Sequence, residues 1–116
     1  MLKGIRGAAP VKDNTAEAVM AATTSLLQEL VAANGFSPDH VVSAIFTLTP
    51  DLNAAFPAAA ARALGWTNVP MLCAQEILVP GAMPQVVRVL IHAQVEGTVR
   101  HVYVGRAAAL RPDWST

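Results

Sequence analysis

The chain has 116 residues, of which 53% are hydrophobic and 14% charged, and eight basic residues balance eight acidic ones to a formal net charge of zero. This balance, without basic clusters, excludes an electrostatic footprint for nucleic acid or anionic lipid, and every apolar run breaks before the roughly 18 residues that a membrane span needs. We therefore expect a single domain over residues 1–116 whose apolar surface, too large for its few charges to cover, is partly buried in an oligomer.

The first half of the chain is predicted to form a strand, a helix and a second strand. The strands, Leu2 to Arg6 and Val41 to Leu48, are rich in β-branched or large apolar residues and are bounded by Gly, Pro, Asn or Asp. Between them, apolar residues recur at helical spacing from Asn14 to Asn34, and Gly35 is placed to end the helix. Asn14, followed three residues later by Glu17, resembles a capping box at the start of this helix.

The second half is predicted to begin with a short helix from Asn53 to Leu64 and to continue with three strands. These strands are Met71 to Ile77, Val86 to Gln94 and Val99 to Val104. Residues 79–85 and 110–116 carry prolines and are expected to lack regular structure. The order predicts a mixed α/β (α+β) domain with two main helices and a largely antiparallel later half.

Three strand-like apolar segments each offer one charged residue of interest, namely Arg6, Glu76 and Arg88. Arg88 interrupts the run Val86 to Ile91, where an unpaired ion would cost several kcal/mol, so it either faces an open side of the strand or has a partner. Glu76, with apolar residues on both sides, needs a cationic partner or a ligand hydroxyl. Arg6 is followed by Gly7, whose missing side chain would let a small ligand approach the backbone. Because guanidinium groups bind carboxylates bidentately, these residues favour a pocket for a small dicarboxylate over a nucleophile with a base.

Other kinds of site find little support in the sequence. The histidines His40, His92 and His101 are far apart and none stands at a ligand-like spacing from Cys73 or an acid, so we expect no metal. We interpret His92 as structural and Cys73 as a small buried hydrophobe. There is no GxSxG motif, no Walker loop and no GxGxxG motif, and we expect no cofactor. One cysteine forms no internal disulfide, and residues 1–6 lack the apolar stretch of a signal peptide, so we expect a cytoplasmic protein.

Eight short segments spread over nearly the whole chain carry a family resemblance. They are residues 3–8 (KGIRGA), 49–58 (TPDLNAAFPA), 65–66 (GW), 69–70 (VP), 73–76 (CAQE), 88–89 (RV), 100–103 (RHVY) and 110–113 (LRPD). In this combination they resemble the monofunctional bacterial chorismate mutases, isomerases that rearrange chorismate to prephenate in phenylalanine and tyrosine biosynthesis without a cofactor or a covalent intermediate. The resemblance implies a homotrimer of pseudo-α/β-barrel shape with active sites in clefts between subunits, which would explain the low charge content.

The resemblance also implies roles for residues at the centre of the site. Arg6 and Tyr103 would hold a substrate carboxylate, and Arg88 would contact both a carboxylate and the ether oxygen. Glu76 would accept a hydrogen bond from the ring hydroxyl. We expect Arg88, Glu76 and Arg6 to be the catalytic residues, with Arg88 providing the main stabilisation of the transition state.

The other substrate-binding residues implied by the resemblance lie around this centre. Cys73 would make a polar contact near the hydroxyl and would not act as a nucleophile. Phe56 and Leu110 would shape the apolar wall of the site, and Arg62 with Arg111 would lie at its mouth.

Two alternative functions stay open at this point. A trimeric enamine or imine deaminase-like enzyme would also use an interface arginine to hold a carboxylate, with Glu76 and Tyr103 orienting water. A non-catalytic trimer that binds a small dicarboxylate would be favoured if two departures from the family's usual residues had abolished turnover. These departures are Ala59 in place of Lys and Leu72 in place of Thr.

Overall fold

The computed structural model describes residues 1–114. In chain order its strands and helices are β1 (Leu2–Pro10), α1 (Ala16–Asn34), β2 (Val41–Leu48), α2 (Ala58–Ala63), β3 (Met71–Gln75), β4 (Val86–Gln94) and β5 (Val102–Tyr103). Two short 3-10 helices lie at Pro38–His40 and Gly105–Leu110. None of the helices in the described part is long and apolar enough to cross a bilayer.

Strand β4 lies at the centre of a five-stranded sheet with the order β3-β2-β4-β1-β5. It pairs antiparallel with both β1 and β2. The two edge strands run parallel to their neighbours, β3 to β2 and β5 to β1. A parallel pair needs a long crossover connection, and α2 lies in the crossover between β2 and β3. The predicted mixed α/β sheet with two helices is confirmed.

Helix α1 covers one face of the sheet and forms the core with it. Successive residues of a strand point to opposite faces, so every second side chain points toward α1. Ile5, Phe46 and Ile91 are among these inward side chains and are fully buried with Leu27 and Leu30 of α1. This packing provides most of the apolar burial of the domain, and it fixes which strand residues point the other way.

The opposite face of the sheet, called the open face below, is covered only at its β5 end in residues 1–114. There Ala107 of the second 3-10 helix packs beside Ala8 and Tyr103. Elsewhere the open face exposes apolar side chains, since Ile45 is 38% exposed and Leu72 is 71% exposed. A contiguous exposed apolar surface of this kind is typical of an interface with another chain.

The predicted cap of α1 is wrong by one residue. Thr15 is the N-cap, with its hydroxyl accepting a hydrogen bond from the backbone N–H of Ala18 at 3.1 Å. The Asn14 side chain instead accepts from the backbone N–H groups of Asn53 and Ala54 at 2.9 and 3.1 Å. Asn14 therefore joins two loops, and Thr, also a favoured N-cap residue, takes the capping role.

Other element bounds differ from prediction at their ends. The helix predicted from Asn53 to Leu64 shortens at both ends to α2, which begins after Pro57. β1 runs on to Pro10, β3 ends two residues early and β5 has only two residues. Leu110, expected in an irregular segment, ends the second 3-10 helix. The last two residues of the predicted irregular tail lie outside the described residues.

Candidate active site

A row of register partners places several predicted site residues on the open face. Thr47 of β2 is opposite Arg88 of β4, Arg88 is opposite Ala8 of β1, and Ala8 is opposite Tyr103 of β5. Paired residues point to the same face, and neighbouring strands lie about 4.8 Å apart. Arg88 and Tyr103 therefore flank the small Ala8 on one surface, at a strand separation of about 10 Å.

The next row along the sheet adds Arg6, whose register partner on β4 is Leu90. A cavity of about 280 Å³ on the open face joins the two rows. Its lining residues are Arg6, Ile45, Thr47, Arg88, Val89 and Leu90. The two arginines predicted to bind carboxylates thus line one cavity.

Glu76 and Arg88 form a half-buried ion pair beside this cavity. The Arg88 Nε atom lies 3.0 Å from Glu76 Oε2, and the two side chains are 28% and 19% exposed. The Nε–H is not aligned for a hydrogen bond to the carboxylate, so the contact is electrostatic. Thr47 Oγ1 donates a hydrogen bond of 2.7 Å to the same Oε2 atom. Glu76 Oε1 has no partner in residues 1–114, and it remains free to accept a hydrogen bond from a hydroxyl group.

The Arg6 side chain has no ion pair or hydrogen bond among residues 1–114. Its guanidinium lies near Trp114, with Arg6 Cζ 5.7 Å from the ring centroid. The backbone N–H of Arg6 donates to His101 Nδ1 at 3.0 Å. All five guanidinium N–H donors are therefore available for a ligand anion.

Tyr103 is 7% exposed, and its buried hydroxyl has no hydrogen-bond partner in the described part of the chain. An unsatisfied buried hydroxyl costs about 1–3 kcal/mol, and a bound carboxylate would remove that cost. Leu110 packs against the same small cluster as Tyr103. Both residues thus lie at the β5 end of the open face, as an aromatic donor and an apolar wall.

Three of the predicted residues are not brought to this face. Cys73 packs against the core that α1 covers, and with Phe56 it lines a separate cavity of about 330 Å³ that shares no lining residue with the open-face cavity. Phe56 itself is 72% exposed. Arg62 is exposed on α2, and its side chain makes no hydrogen bond or ion pair within residues 1–114. Within one chain, these residues and the two arginines of the open face cannot surround one ligand.

Arg111 lies at the edge of the open face, held by its neighbours. It donates hydrogen bonds to Asp113 from Nε at 3.0 Å and from Nη2 at 2.8 Å. This pairing lowers the pKa of the Asp113 carboxyl and raises the pKa of Arg111. Its guanidinium also covers Trp114, with Cζ 3.4 Å from the ring centroid.

The sequence reasoning missed Thr47, His101 and Trp114. Thr47 carried a usable signal, because strand alternation sends it to the face opposite the apolar Phe46. Trp114 carried none, since its position depends on how an irregular segment folds back. The hypothesis that Gly7 opens the backbone to a ligand is wrong: a Cβ there would lie 2.8 Å from Leu30 Cδ1, so Gly7 serves the close approach of α1 to β1. Residues 1–114 contain no cluster of three His, Cys, Asp or Glu side chains that could hold a metal ion.

Comparison with known proteins gives consistent matches over nearly the whole chain. The sequence model of the family "Chorismate mutase type I" matches residues 2–114. Chorismate mutase AroH of Thermus thermophilus is 47% identical over 97% of this chain and 96% of its own length. Chorismate mutase AroH of Bacillus subtilis strain 168 is 40% identical over 99% of this chain and 94% of its own length.

A solved structure agrees with these sequence matches. A chorismate mutase from Clostridium thermocellum superposes with a TM-score of 0.90 at 44% identity, covering 92% of this chain and 98% of the other. The fold, the sequence and the family model therefore agree, and the chain belongs to the type I chorismate mutase family.

Proposed function

We propose that this protein is a chorismate mutase, an isomerase that rearranges chorismate to prephenate for aromatic amino acid biosynthesis, with no cofactor. The observation that carries the proposal is the open-face cavity, where Arg6 and Arg88 present guanidinium donors beside the free Oε1 of Glu76. That chemistry matches a substrate with two carboxylates and a ring hydroxyl. The named relatives are all chorismate mutases, and none supports a deaminase.

The reaction is a pericyclic rearrangement in which a C–O bond breaks while a C–C bond forms. Partial negative charge develops on the ether oxygen and positive character on the ring, and no proton is transferred. A site of fixed charges without an acid–base pair suits this reaction, because preorganised donors stabilise charge where it develops. Holding the compact conformer of the substrate lowers the barrier further.

The roles of the central residues follow from their donors and acceptors. Arg6 and the Tyr103 hydroxyl bind one carboxylate, and Arg88 binds the other carboxylate and the ether oxygen. Glu76 Oε1 accepts a hydrogen bond from the ring hydroxyl, while Oε2 keeps its hydrogen bond from Thr47. The ion pair with Glu76 fixes the Arg88 guanidinium before substrate binds, which reduces the reorganisation that the reaction needs.

The active site is completed by a second copy of the chain, in a cytoplasmic homotrimer with sites between subunits. Arg6 and Arg88 form one half of the site and line one cavity, whereas Phe56 and Cys73 form the other half and line a different cavity. The apolar open face needs a covering, and residues 77–79 add further exposed apolar surface. Contact of one subunit's open face with the next subunit's Phe56 cavity brings the two half-sites together.

A direct test adds the purified protein to chorismate and follows the loss of chorismate ultraviolet absorbance with identification of prephenate. Arg88→Ala is the matched inactive control. Release of ammonia from an enamino acid without conversion of chorismate would favour the deaminase alternative. Tight binding of chorismate without turnover would identify the non-catalytic alternative.

A further inference from the structure

Trp114 is the centre of an aromatic and cationic cluster beside the open-face cavity. The His101 imidazole stacks on its ring with centroids 4.0 Å apart and an interplanar angle of 27°. The Arg111 guanidinium lies 3.4 Å from the ring centroid. The indole thus packs against both His101 and Arg111. The Tyr103 ring meets it edge-on at 6.1 Å.

His101 holds the backbone of Arg6. The β1–β5 ladder contains only the pairs Gly7–Val102 and Ala8–Tyr103, so the strand pairing stops one residue before Arg6. The backbone N–H of Arg6 donates to His101 Nδ1 at 3.0 Å, and this side-chain bond takes the place of the next ladder bond. Because Nδ1 accepts, the imidazole is neutral with its proton on Nε2.

Trp114 restrains the Arg6 side chain in a different way. Arg6 Cζ lies 5.7 Å from the indole centroid, within the range in which the ring quadrupole attracts a cation. A carboxylate partner would restrain the guanidinium too, but it would occupy N–H donors. The ring face occupies none, so it orients the cation and leaves every donor for a ligand.

We propose that Trp114 and His101 are positioning residues for Arg6, holding its guanidinium at the open-face cavity with its donors free for a substrate carboxylate. The inference rests on the proposed function and extends it to two residues that do not touch the reacting atoms. Arg111, itself paired with Asp113, also packs against the indole and completes the support.

The kinetic test compares Trp114→Ala, Trp114→Leu and Trp114→Phe. Arg6 binds a carboxylate present in both the ground state and the transition state, so its misplacement raises KM with little change in kcat. We expect Trp114→Ala and Trp114→Leu to raise the KM for chorismate about 3- to 10-fold, the effect of about 1 kcal/mol of lost binding. Trp114→Phe, which keeps a ring face, restores most of the affinity. Equal rescue by Leu and Phe would show that only apolar covering matters and would overturn the proposal.

A mutant cycle separates positioning of Arg6 from a general structural effect. In an Arg6→Ala background, Trp114→Ala and His101→Ala should leave KM unchanged, because both act through Arg6. A further rise in KM in that background would overturn the proposal.

A measurement without substrate keeps the test independent of the proposed activity. The ¹⁵N relaxation of Arg6 Nε should show a more mobile guanidinium in Trp114→Ala and Trp114→Leu than in the wild type and Trp114→Phe. If the wild type fails to convert chorismate, the proposed function falls while this measurement still decides the positioning. Unchanged Arg6 mobility in all variants overturns the positioning even if chorismate is turned over.

Discussion

The Glu76 carboxylate reaches across a whole strand to Arg88, since β2 lies between β3 and β4 in the sheet. Thr47 stands on the intervening strand and donates to the same carboxylate oxygen. The charge pair is therefore assembled from three strands and depends on their register.

Arg88→Ala should lower kcat about 100- to 1,000-fold, the usual effect of losing a preorganised donor to developing negative charge. It also leaves Glu76 half-buried without its cationic partner. Arg88→Lys keeps the charge without the planar fork and should fall between Ala and the wild type. Arg100→Ala, at an exposed arginine, is the control. Steady-state kinetics on folded protein measure the effect, and an Arg88→Ala enzyme within a few fold of wild type contradicts the assignment.

Thr47→Val should lower kcat/KM about 3- to 10-fold by removing the hydrogen bond that orients Glu76, worth about 1 kcal/mol. The substitution conserves side-chain shape, so the melting temperature should change little. Thr47→Ser keeps the hydroxyl and serves as the matched control. If Val and Ser variants had equal kcat/KM, the hydroxyl would have no part in the site.

Phe56→Asp and Arg88→Ala should each be nearly inactive alone but complement each other when refolded together. Phe56 is 72% exposed, so the new carboxylate repels the substrate without disturbing the core. In a random 1:1 mixture of cyclic trimers, about a quarter of all sites would combine the intact open face of one chain with the intact Phe56 cavity of its neighbour. Recovered activity and a sedimentation mass of three chains measure this. No recovery in such mixed trimers would mean that both half-sites belong to one chain.

Gly7→Ala should destabilise the fold by about 1–3 kcal/mol, because the added Cβ would lie 2.8 Å from Leu30 Cδ1 and 3.1 Å from Leu26 Cδ1. The control is Gly4→Ala on the same strand, where the nearest atom is a Leu90 methyl at 3.8 Å. Urea unfolding monitored by circular dichroism compares the two. Equal free energies of unfolding would show that α1 moves away without cost.

His101 should titrate below its ordinary pKa of 6.5, because burial and then the charges of Arg6 and Arg111 lower that pKa. The unfolded chain binds the proton more readily, so this group favours the folded state above pH 6.5 and that contribution is lost as the pH falls through the folded pKa. NMR titration of the His101 ring protons measures the shift. Trp114→Ala should move the pKa back toward 6.5 by admitting water, whereas Lys12→Ala, at an exposed lysine, should not. An unshifted wild-type pKa would contradict the packing described.

Much of the fold could be predicted from local pattern. β2 and β4 begin and end where their apolar runs do, and Gly35 ends α1 in the left-handed conformation, with φ of 64°. The bounds of β5 could not be predicted, because Val99 and Val104 extend the strand-like pattern beyond it while only two residues find a partner on β1. The length of a strand depends on which residues of the neighbouring strand it pairs with, and the sequence of one segment does not contain that information.

The candidate site was partly predictable for a related reason. A charge inside an apolar strand must have a partner or an opening, and this reasoning singled out Arg88 and Glu76, which the structure pairs. Cys73 and Glu76 are three positions apart, so strand alternation sends their side chains to opposite faces of the sheet. The proposed site needs a second chain to bring both residues to one ligand. Trp114 lies near Arg6 only because the last segment of the chain folds back onto the sheet, which no local sequence pattern predicts.

The Asn14 side chain gives the chain a mechanical link that spans 39 residues. Its side-chain oxygen accepts hydrogen bonds from two successive backbone N–H groups, those of Asn53 and Ala54, in the loop that carries Phe56. Its side-chain nitrogen donates a hydrogen bond to Asn53 Oδ1 at 2.8 Å. These two N–H groups form no hydrogen bonds within a strand or a helix. Opening of the loop therefore requires breaking its bonds to Asn14, which lies just before α1. Amide exchange at Asn53 and Ala54 should consequently follow the unfolding of the long helix, making a surface loop as slow to open as the core element to which it is tied.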